Sequence, residues 1–284
     1  MRLAILGLLL LAGCQSQPCR PLQPSLDPAP LMADVEALSA PSMAGRRPGT
    51  PGHQLAQQYI IAGFLRQGFW VKRQAIAEGE HNIIAWRGQP KLWVLAHYDH
   101  LGPGYPGADD NASGVAVLLA LARALPARDI ALIATDSEER GLFGAKALLA
   151  APPLTLPKLV INLDMVGRGP VLFGAGTKDN PMLAPLVAAV AATAPLCFKP
   201  GHDRRQQQQG SSLYTDWRQA SDHAPFRQAH IPYLYLGNDT HSDWHNRTDT
   251  ADRLNPVFLA GAAQTTLMLI NLLDDNTLAS WQGD

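Results

Sequence analysis

The 284-residue sequence is short of charge, of cysteine and of long apolar runs, and each shortage argues against a class of protein. Charged residues make up 17% of the chain and the formal net charge is −1, so no basic surface for nucleic acid is expected. The three cysteines, Cys14, Cys19 and Cys197, lack the spacing of a cysteine metal site. No linker divides residues 31–284, which predicts one domain over that range.

The first 30 residues are typical of an export signal followed by a tether. The opening segment, MRLAILGLLLLAGC, has one arginine, an apolar run too short to span a bilayer comfortably and an end of small residues, as secretory signals do. Its LAGC resembles a bacterial lipoprotein signal, in which Cys14 becomes the lipidated first residue. An ordinary signal peptide or an uncleaved anchor are the alternatives.

The lipoprotein interpretation predicts a signal peptide over residues 1–13 and an extended, unpacked, Pro-rich tether over residues 14–30. The lipid on Cys14 would hold the chain in the cell envelope, on the periplasmic side of a bacterial membrane. Cys19 and Cys197 remain, and an exported chain can form disulfides. Because Cys19 lies in the tether, the cysteine count leaves a Cys19–Cys197 bridge and two free thiols equally open.

Three apolar runs are typical of strands buried in a parallel sheet: Lys91–Ala96, Ile130–Thr135 and Leu159–Leu163. Each is followed directly by side chains that can bind metal or move protons, and in such sheets ligands bind at the carboxyl ends of the strands. The candidate residues at these three ends are His97, Asp99, Asp109, Asp110, Glu138, Glu139 and Asp164. We therefore expect one site at this edge of the sheet.

The periodicity predicts further elements around these strands. The predicted helices are Leu31–Leu38, His53–Gln67, Ala112–Leu125, Arg140–Ala150, Pro181–Ala194 and Pro256–Leu273. The further strands are Phe69–Ala77, His81–Trp86 and, after the segment SDHAPF, Pro232–Leu236. Ser42–Gly52 should lack regular structure, as a solvated loop or a pocket wall, and Gln206–Gln209 should be a mobile loop. This alternation suggests a sandwich of helices and sheet.

The chemistry of each motif is open when it is taken alone. His97 and Asp99 point to the same side of an extended chain, so one can bind a metal while the other holds its imidazole. A carboxylate such as that of Asp110 can bridge two cations. Of Glu138 and Glu139, one can bind a metal while the other moves a proton. Surface decoration, helix capping and solvated charge are the ordinary alternatives.

Four other polar residues are ambiguous. His241 and His245 lie four apart in a segment crowded with Asn, Asp, Ser and Thr, which favours a loop, and only one of them need be a ligand. Asp222 and His223 either approach the site or serve as a cap and a packed core residue. His81 is interpreted as an edge residue rather than a ligand.

The motifs HYD, GADDNASG, SEERGLFGA, NLDMVGR and WHNRTDT occur in this order. Together they resemble the co-catalytic zinc aminopeptidases of metallopeptidase family 28, over roughly Ala44 to Leu273. The resemblance implies a three-layer α/β/α sandwich with a mixed, mostly parallel central sheet. It also implies two zinc ions per chain and hydrolysis of peptide substrates that have a free N-terminus.

The resemblance also implies roles for individual residues. His97 and Asp164 resemble the ligands of one zinc, Glu139 and His245 those of the other, and Asp110 the bridging carboxylate. The preference for Asp110 over its neighbour, and for His245 over the earlier histidine, comes from the resemblance alone.

In the same way, Glu138 resembles the general base and Asp99 the partner of His97. Trp244 and Arg247 depart from the family pattern and would reshape the substrate pocket, where Arg247 either favours an acidic group or is solvated. No insert large enough for an extra domain is present, which predicts a compact monomer. Glutaminyl cyclase, a non-catalytic binding lipoprotein and a hydrolase of another amide are the rival interpretations.

Overall fold

The structure is a computed structural model that describes residues 19, 22–207, 214–274, 277–278 and 281. An eight-stranded sheet forms its centre, with the spatial order β1-β2-β4-β3-β5-β10-β6-β7. The strands of this sheet are β1 Trp70–Ala77, β2 Glu80–Arg87, β3 Leu92–His97, β4 Ile130–Thr135, β5 Leu159–Asp164, β6 Leu172–Ala175, β7 Phe198–Pro200 and β10 Tyr233–Gly237. Two short strands, β8 Arg205–Gln207 and β9 Tyr214–Asp216, pair with each other separately.

The four central strands, β4, β3, β5 and β10, run parallel to one another. β1 and β2 form a hairpin that joins β4 in an antiparallel manner, while β6 lies antiparallel to β10 and parallel to β7. The sheet is therefore mixed, and the predicted fold class is confirmed. Since the central strands are parallel, their carboxyl ends meet at one edge.

Helices cover both faces of the sheet, as the alternation of buried side chains requires. Along β3, Leu92, Val94 and Ala96 enter one apolar cluster, whereas Trp93 and Leu95 enter another on the opposite face. The helices are α1 Pro28–Leu38, α2 Pro51–Arg66, α3 Gly114–Ala124, α4 Phe143–Ala150, α5 Leu183–Ala191, α6 His223–Gln228 and α7 Pro256–Leu272. Helices α4 and α6 pack on the second face and the others on the first, which gives three layers.

Several local predictions need correction. A 3₁₀ helix, Pro41–Arg46, occupies part of the loop expected to lack regular structure. The short helix α6 forms after Ser221, where no element was predicted. Residues 206–207 lie in β8 rather than in a loop, and residues 208–209 lie outside the described part of the chain. His81 lies on β2, which has strands on both sides and so is not an edge strand.

The predicted unpacked tether is wrong for its last six residues. Leu26 packs against the main core, and the backbone N–H of Ser25 donates to the Gln264 side chain of α7 at 2.6 Å. The Asp27 carboxylate accepts from the Ala29 N–H at the start of α1. Helix α1 begins at Pro28, and Leu26 adds apolar contacts with the core. The body of the protein therefore begins before residue 31. No helix within the described ranges is long and apolar enough to cross a bilayer.

A disulfide joins Cys19 to Cys197, a separation of 178 residues. It ties the N-terminal segment to the residue just before β7. Closing so long a loop restricts the unfolded chain, which typically stabilises a fold by about 2–4 kcal/mol.

We expect a non-chelating reductant to lower the melting temperature of the full chain by roughly 5–10 °C, because the unfolded state regains that freedom. Thermal unfolding with and without the reductant measures the shift. A Cys19→Ser variant should melt at the reduced temperature and show no further response. Equal melting temperatures for the oxidised and reduced wild type would contradict a stabilising bridge.

Candidate metal centre

The site residues predicted from the sequence lie together at the carboxyl edge of the sheet. His97 ends β3 and Asp164 ends β5, while Glu138 and Glu139 lie in the turn after β4. Asp110 lies in an irregular turn, Ala108–Ser113, that leads into α3. The three parallel strands therefore place their polar ends side by side.

Asp110 lies between two groups of ligand atoms. The Nε2 atom of His97 is 3.3 Å from Asp110 Oδ1 and 3.4 Å from Asp164 Oδ1. On the other side, the Nε2 atom of His245 is 3.2 Å from Asp110 Oδ2 and 3.0 Å from Glu139 Oε2. Each oxygen of one carboxylate thus faces a separate imidazole and a separate second carboxylate.

This donor set fits zinc. Imidazole nitrogen and carboxylate oxygen are its usual ligands, and neighbouring ligand atoms on a tetrahedral zinc with bonds of 2.0–2.1 Å lie about 3.3 Å apart. The separations within both groups, 3.0–3.4 Å, match that value. Moreover, Asp164 Oδ1 is buried without a hydrogen-bond partner among the described residues, which a cation would satisfy.

The structure distinguishes Asp110 from Asp109 and His245 from His241, two choices that residue chemistry alone left open. His241 Nε2 lies 3.1 Å from Asp109 Oδ2, and the same Asp109 accepts from the Gly167 N–H. Asp109 and His241 therefore hold neighbouring loops together, whereas Asp110 and His245 face the common cluster.

Glu138 lies beside the group formed by His97, Asp110 and Asp164. Its carboxylate, the His97 ring and the Asp164 carboxylate each offer an atom within 4.8 Å of the others. Burial raises the pKa of Glu138 well above its ordinary value; His97 opposes this, and the nearby Asp164 adds to it. A carboxyl group with a raised pKa is suited to exchanging protons near neutral pH.

Asp99 acts on the backbone of this turn as well as on His97. Its carboxylate accepts from the Glu138 N–H at 3.0 Å and from the Glu139 N–H at 3.3 Å. The Nδ1 atom of His97 lies 3.2 Å from the Asp99 main-chain carbonyl and 3.7 Å from its carboxylate. A donor at Nδ1 leaves Nε2 free to face the cluster. Asp99 therefore orients both a candidate ligand and the candidate base.

Hydrogen bonds within the cluster shift the pKa values of Asp110 and His245. Burial would raise the pKa of Asp110, but hydrogen bonds from His245 and His97 hold it well below its ordinary value. Burial would lower the pKa of His245, yet its bonds to Asp110 and Glu139 raise it to about 10. A protonated imidazole cannot bind a metal, so metal binding to this cluster must release protons.

His100 belongs to the cluster and was missed from the sequence. Its Nδ1 lies 2.8 Å from Glu139 Oε1, and it groups with Asp110 and Glu139 as a possible metal-binding set. Its Nε2 is buried with no partner among the described residues. Strand alternation places His100 on the opposite side from His97, and only the turn after β3 brings it back.

Two further residues hold the Asp110 turn in place. Asp249 accepts from the N–H groups of Asp109 and Asp110 at 3.0 Å each. Arg46 is fully buried and its guanidinium donates at 2.7–2.8 Å to four carbonyl groups and at 3.5 Å to a fifth; these belong to Leu38, Tyr98, Pro106, Gly107 and Asp110. Of the two interpretations left open for the loop Ser42–Gly52, a solvated loop or a pocket wall, the solvated one is therefore wrong for Arg46.

We expect Arg46→Met to lower the free energy of unfolding by about 3 kcal/mol or more, because buried carbonyl groups would lose their donor. Metal binding at the cluster should weaken with it, since the Asp110 turn would no longer be fixed. Thermal unfolding and zinc content per chain measure the two effects. Arg47→Met removes a neighbouring exposed arginine and should change neither. A wild-type melting temperature for Arg46→Met would contradict this role.

Left-handed backbone occurs beside three members of the cluster. Ser137, just before Glu138, has φ 59°, Met165, just after Asp164, has φ 57°, and His245 itself has φ 53°. Such angles are costly for residues other than glycine, and they concentrate at functional sites where the surroundings enforce them. The surroundings therefore constrain the backbone at these three turns, which fixes the directions of the Glu138, Asp164 and His245 side chains.

The remaining candidates lie further out. Asp222 is buried and accepts from the Thr135 hydroxyl; burial raises its pKa to about 7. The Nε2–H group of His223 donates to the Trp217 carbonyl at 2.7 Å, and the ring stacks on Tyr233, so His223 is a packed core residue. Arg247 lies over the Tyr105 ring at 5.5 Å.

The model of the family described as Peptidase family M28 matches residues 82–270 of this chain. Aminopeptidase YwaD of Bacillus subtilis is 35% identical over 210 residues, which cover 67% of this chain and 43% of that protein. Less than half of the length of that relative is therefore represented here.

Two solved structures share the fold. A leucine aminopeptidase precursor from Bacteroides thetaiotaomicron superposes with a TM-score of 0.72 at 22% identity, over 90% of this chain and 100% of that one. A Porphyromonas gingivalis glutaminyl cyclase superposes with a TM-score of 0.71 at 23% identity, over 87% and 98%. At such identities the likeness establishes the fold alone.

Proposed function

Because the chain belongs to peptidase family M28, a zinc-dependent family, we propose that it is an aminopeptidase that removes N-terminal residues from peptides with two zinc ions. The observation that supports this is the position of Asp110 between two imidazole and carboxylate groups. His97, Asp110 and Asp164 would hold one ion, and His245, Asp110 and Glu139 the other. When bound, two such ions activate a water molecule and stabilise charge on the reacting oxygens.

The protein's own residues supply proton transfer and orientation. Glu138, at the edge of the first group, would accept the proton of the attacking water and pass it to the leaving amine. Asp99 fixes this glutamate by accepting from its backbone N–H. His97, Asp99 and Asp110 are almost fully buried, so their charges act in a medium less polar than water.

Zinc content per chain and product release from aminoacyl chromogenic substrates test the proposal. Two zinc ions together with aminoacyl hydrolysis would support it. No bound zinc and no turnover would overturn it in favour of a non-catalytic binding protein on the same fold.

Glutaminyl cyclisation is the second candidate, because a glutaminyl cyclase superposes as well as an aminopeptidase does. The same experiment includes a peptide with an N-terminal glutamine. One zinc ion and ring closure, without aminoacyl hydrolysis, would favour the cyclase.

We also propose that the enzyme is a lipoprotein of the cell envelope, held by a lipid on Cys14. The lipoprotein-like LAGC and the disulfide at Cys19, five residues further on, support this. Incorporation of labelled fatty acid into the wild type but not into Cys14→Ser, each produced in a bacterial host, is the expected result. Equal labelling would contradict it.

A further inference from the structure

A cavity of about 340 Å³ opens at the carboxyl ends of β5 and β10. Pro170, Val171 and Phe173 supply apolar walls, while Arg168, Asn238 and Asp239 supply polar groups. Its volume is in the range of small-ligand pockets, and an apolar lining with a few polar groups is typical of them. The mechanism described above does not use it.

The cavity adjoins the candidate metal centre through the backbone. Gly237 pairs with Asp164 across the two strands, and the next N–H, that of Asn238, donates to the Met165 carbonyl at 3.2 Å. The loop that lines the cavity then continues to His245. His241, which also lines the cavity, lies 3.1 Å from Asp109, the residue next to Asp110. The cavity therefore borders the loops that carry the candidate ligands.

Asp239 is held in place by an unusual partner. Its side chain is 70% exposed, and its Oδ1 lies 3.2 Å from Nε2 of His202, whose side chain is 1% exposed. The His202 ring lies between Phe173 and Trp217, with centroids at 4.1 and 4.3 Å. Burial lowers the pKa of His202 to about 4 even though Asp239 opposes this. The ring is thus neutral near pH 7, and a hydrogen on the Nε2 atom that faces Asp239 would orient this carboxylate without adding a positive charge.

Arg168 also lines the cavity, and nearby carboxylates balance its positive charge. Arg168 donates to Asp243 at 2.7 Å and lies 3.8 Å from Asp109. Asn238 also presents a buried Oδ1 with no partner among the described residues. Asp239 therefore gives the cavity a net negative character, and Asn238 adds an acceptor that a donor group would satisfy.

We infer that this cavity receives the side chain of the substrate's N-terminal residue and favours a cationic one, lysine or arginine. The inference rests on the proposed aminopeptidase function. The apolar walls would contact the aliphatic stem, as long cationic side chains require. The carboxylate of Asp239, oriented by His202, would pair with the charged end.

The test compares kcat/KM for lysyl and norleucyl chromogenic substrates on the zinc-loaded full chain, since norleucine has the lysine stem without its charge. We expect a lysyl preference of about tenfold or more, and its reduction by about tenfold in Asp239→Asn. His202→Phe keeps an aromatic ring but loses the donor, and should reduce the preference several-fold. Asp252→Asn removes an exposed carboxylate in the 3₁₀ helix Ala251–Arg253 and should leave the preference unchanged.

A norleucyl preference in the wild type, or the same ratio in Asp239→Asn as in the wild type, would overturn this inference. Hydrolysis of both substrates in that case would leave the aminopeptidase function standing. Hydrolysis of neither substrate by the zinc-loaded wild type would remove the proposed function and this inference with it.

Discussion

Glu138→Gln is expected to keep its zinc and to lose turnover by about 10²- to 10⁴-fold, the usual contribution of a general base. The substitution preserves the size of the side chain and removes only its capacity to take a proton. Metal content by elemental analysis and kcat for an aminoacyl substrate are the two measurements.

The position of Glu138 explains why these two measurements should separate. Its carboxylate lies near His97 and Asp164, but neither oxygen is needed to complete the two groups around Asp110. The backbone bond from the Glu138 N–H to Asp99 does not involve the side chain and should survive the change. A loss of zinc in Glu138→Gln would therefore assign this residue to the ligands instead.

Glu78→Gln is the matched control, because Glu78 is an exposed glutamate on the turn between β1 and β2. It should retain both zinc and wild-type kcat. Wild-type kcat in Glu138→Gln would show that another group accepts the proton.

The position of the site could be predicted from the sequence because three buried strands end in polar residues. Continuous apolar runs identify β3, β4 and β5, and the geometry of parallel sheets then brings His97, Glu138 and Asp164 together. The alternation of helices and strands suggested a sandwich, and the family resemblance implied its three layers and mixed sheet.

The selection among neighbouring residues could not be made by such reasoning. Asp109 and Asp110 are adjacent, chemically identical and both buried. Only the irregular turn that holds them directs Asp109 to His241 and Asp110 to His245. Their assignment relied on the family resemblance. Short strands such as β6 and β7 have too few residues for a recognisable period.

Arg46 illustrates a different limit. An arginine in a segment rich in glycine and proline is usually solvated, and nothing near it in sequence signals burial. Its partners include carbonyl groups 52–64 residues further along the chain. Such a residue can be recognised only after the loops have been placed.

Asp110→Ala should have the broadest effect of any single substitution, because this carboxylate is common to both groups. The ligands proposed for each ion would fall to one imidazole and one carboxylate, fewer than a protein zinc site normally has. The Nδ1 atom of His100 is already paired with Glu139. We expect zinc content to fall from about two ions per chain to below one and activity to fall by more than about a hundredfold.

The expected result differs from that of Glu138→Gln in that metal and activity fall together. Elemental analysis and kcat measure both, and addition of excess zinc should not restore activity. Asp110→Asn keeps the volume of the side chain and one oxygen acceptor, so a similar loss in this variant would attribute the effect to charge and bridging rather than to a cavity. Asp252→Ala, an exposed control, should retain both properties. Retention of two zinc ions by Asp110→Ala would contradict the bridging role, because the remaining residues would then suffice for both ions.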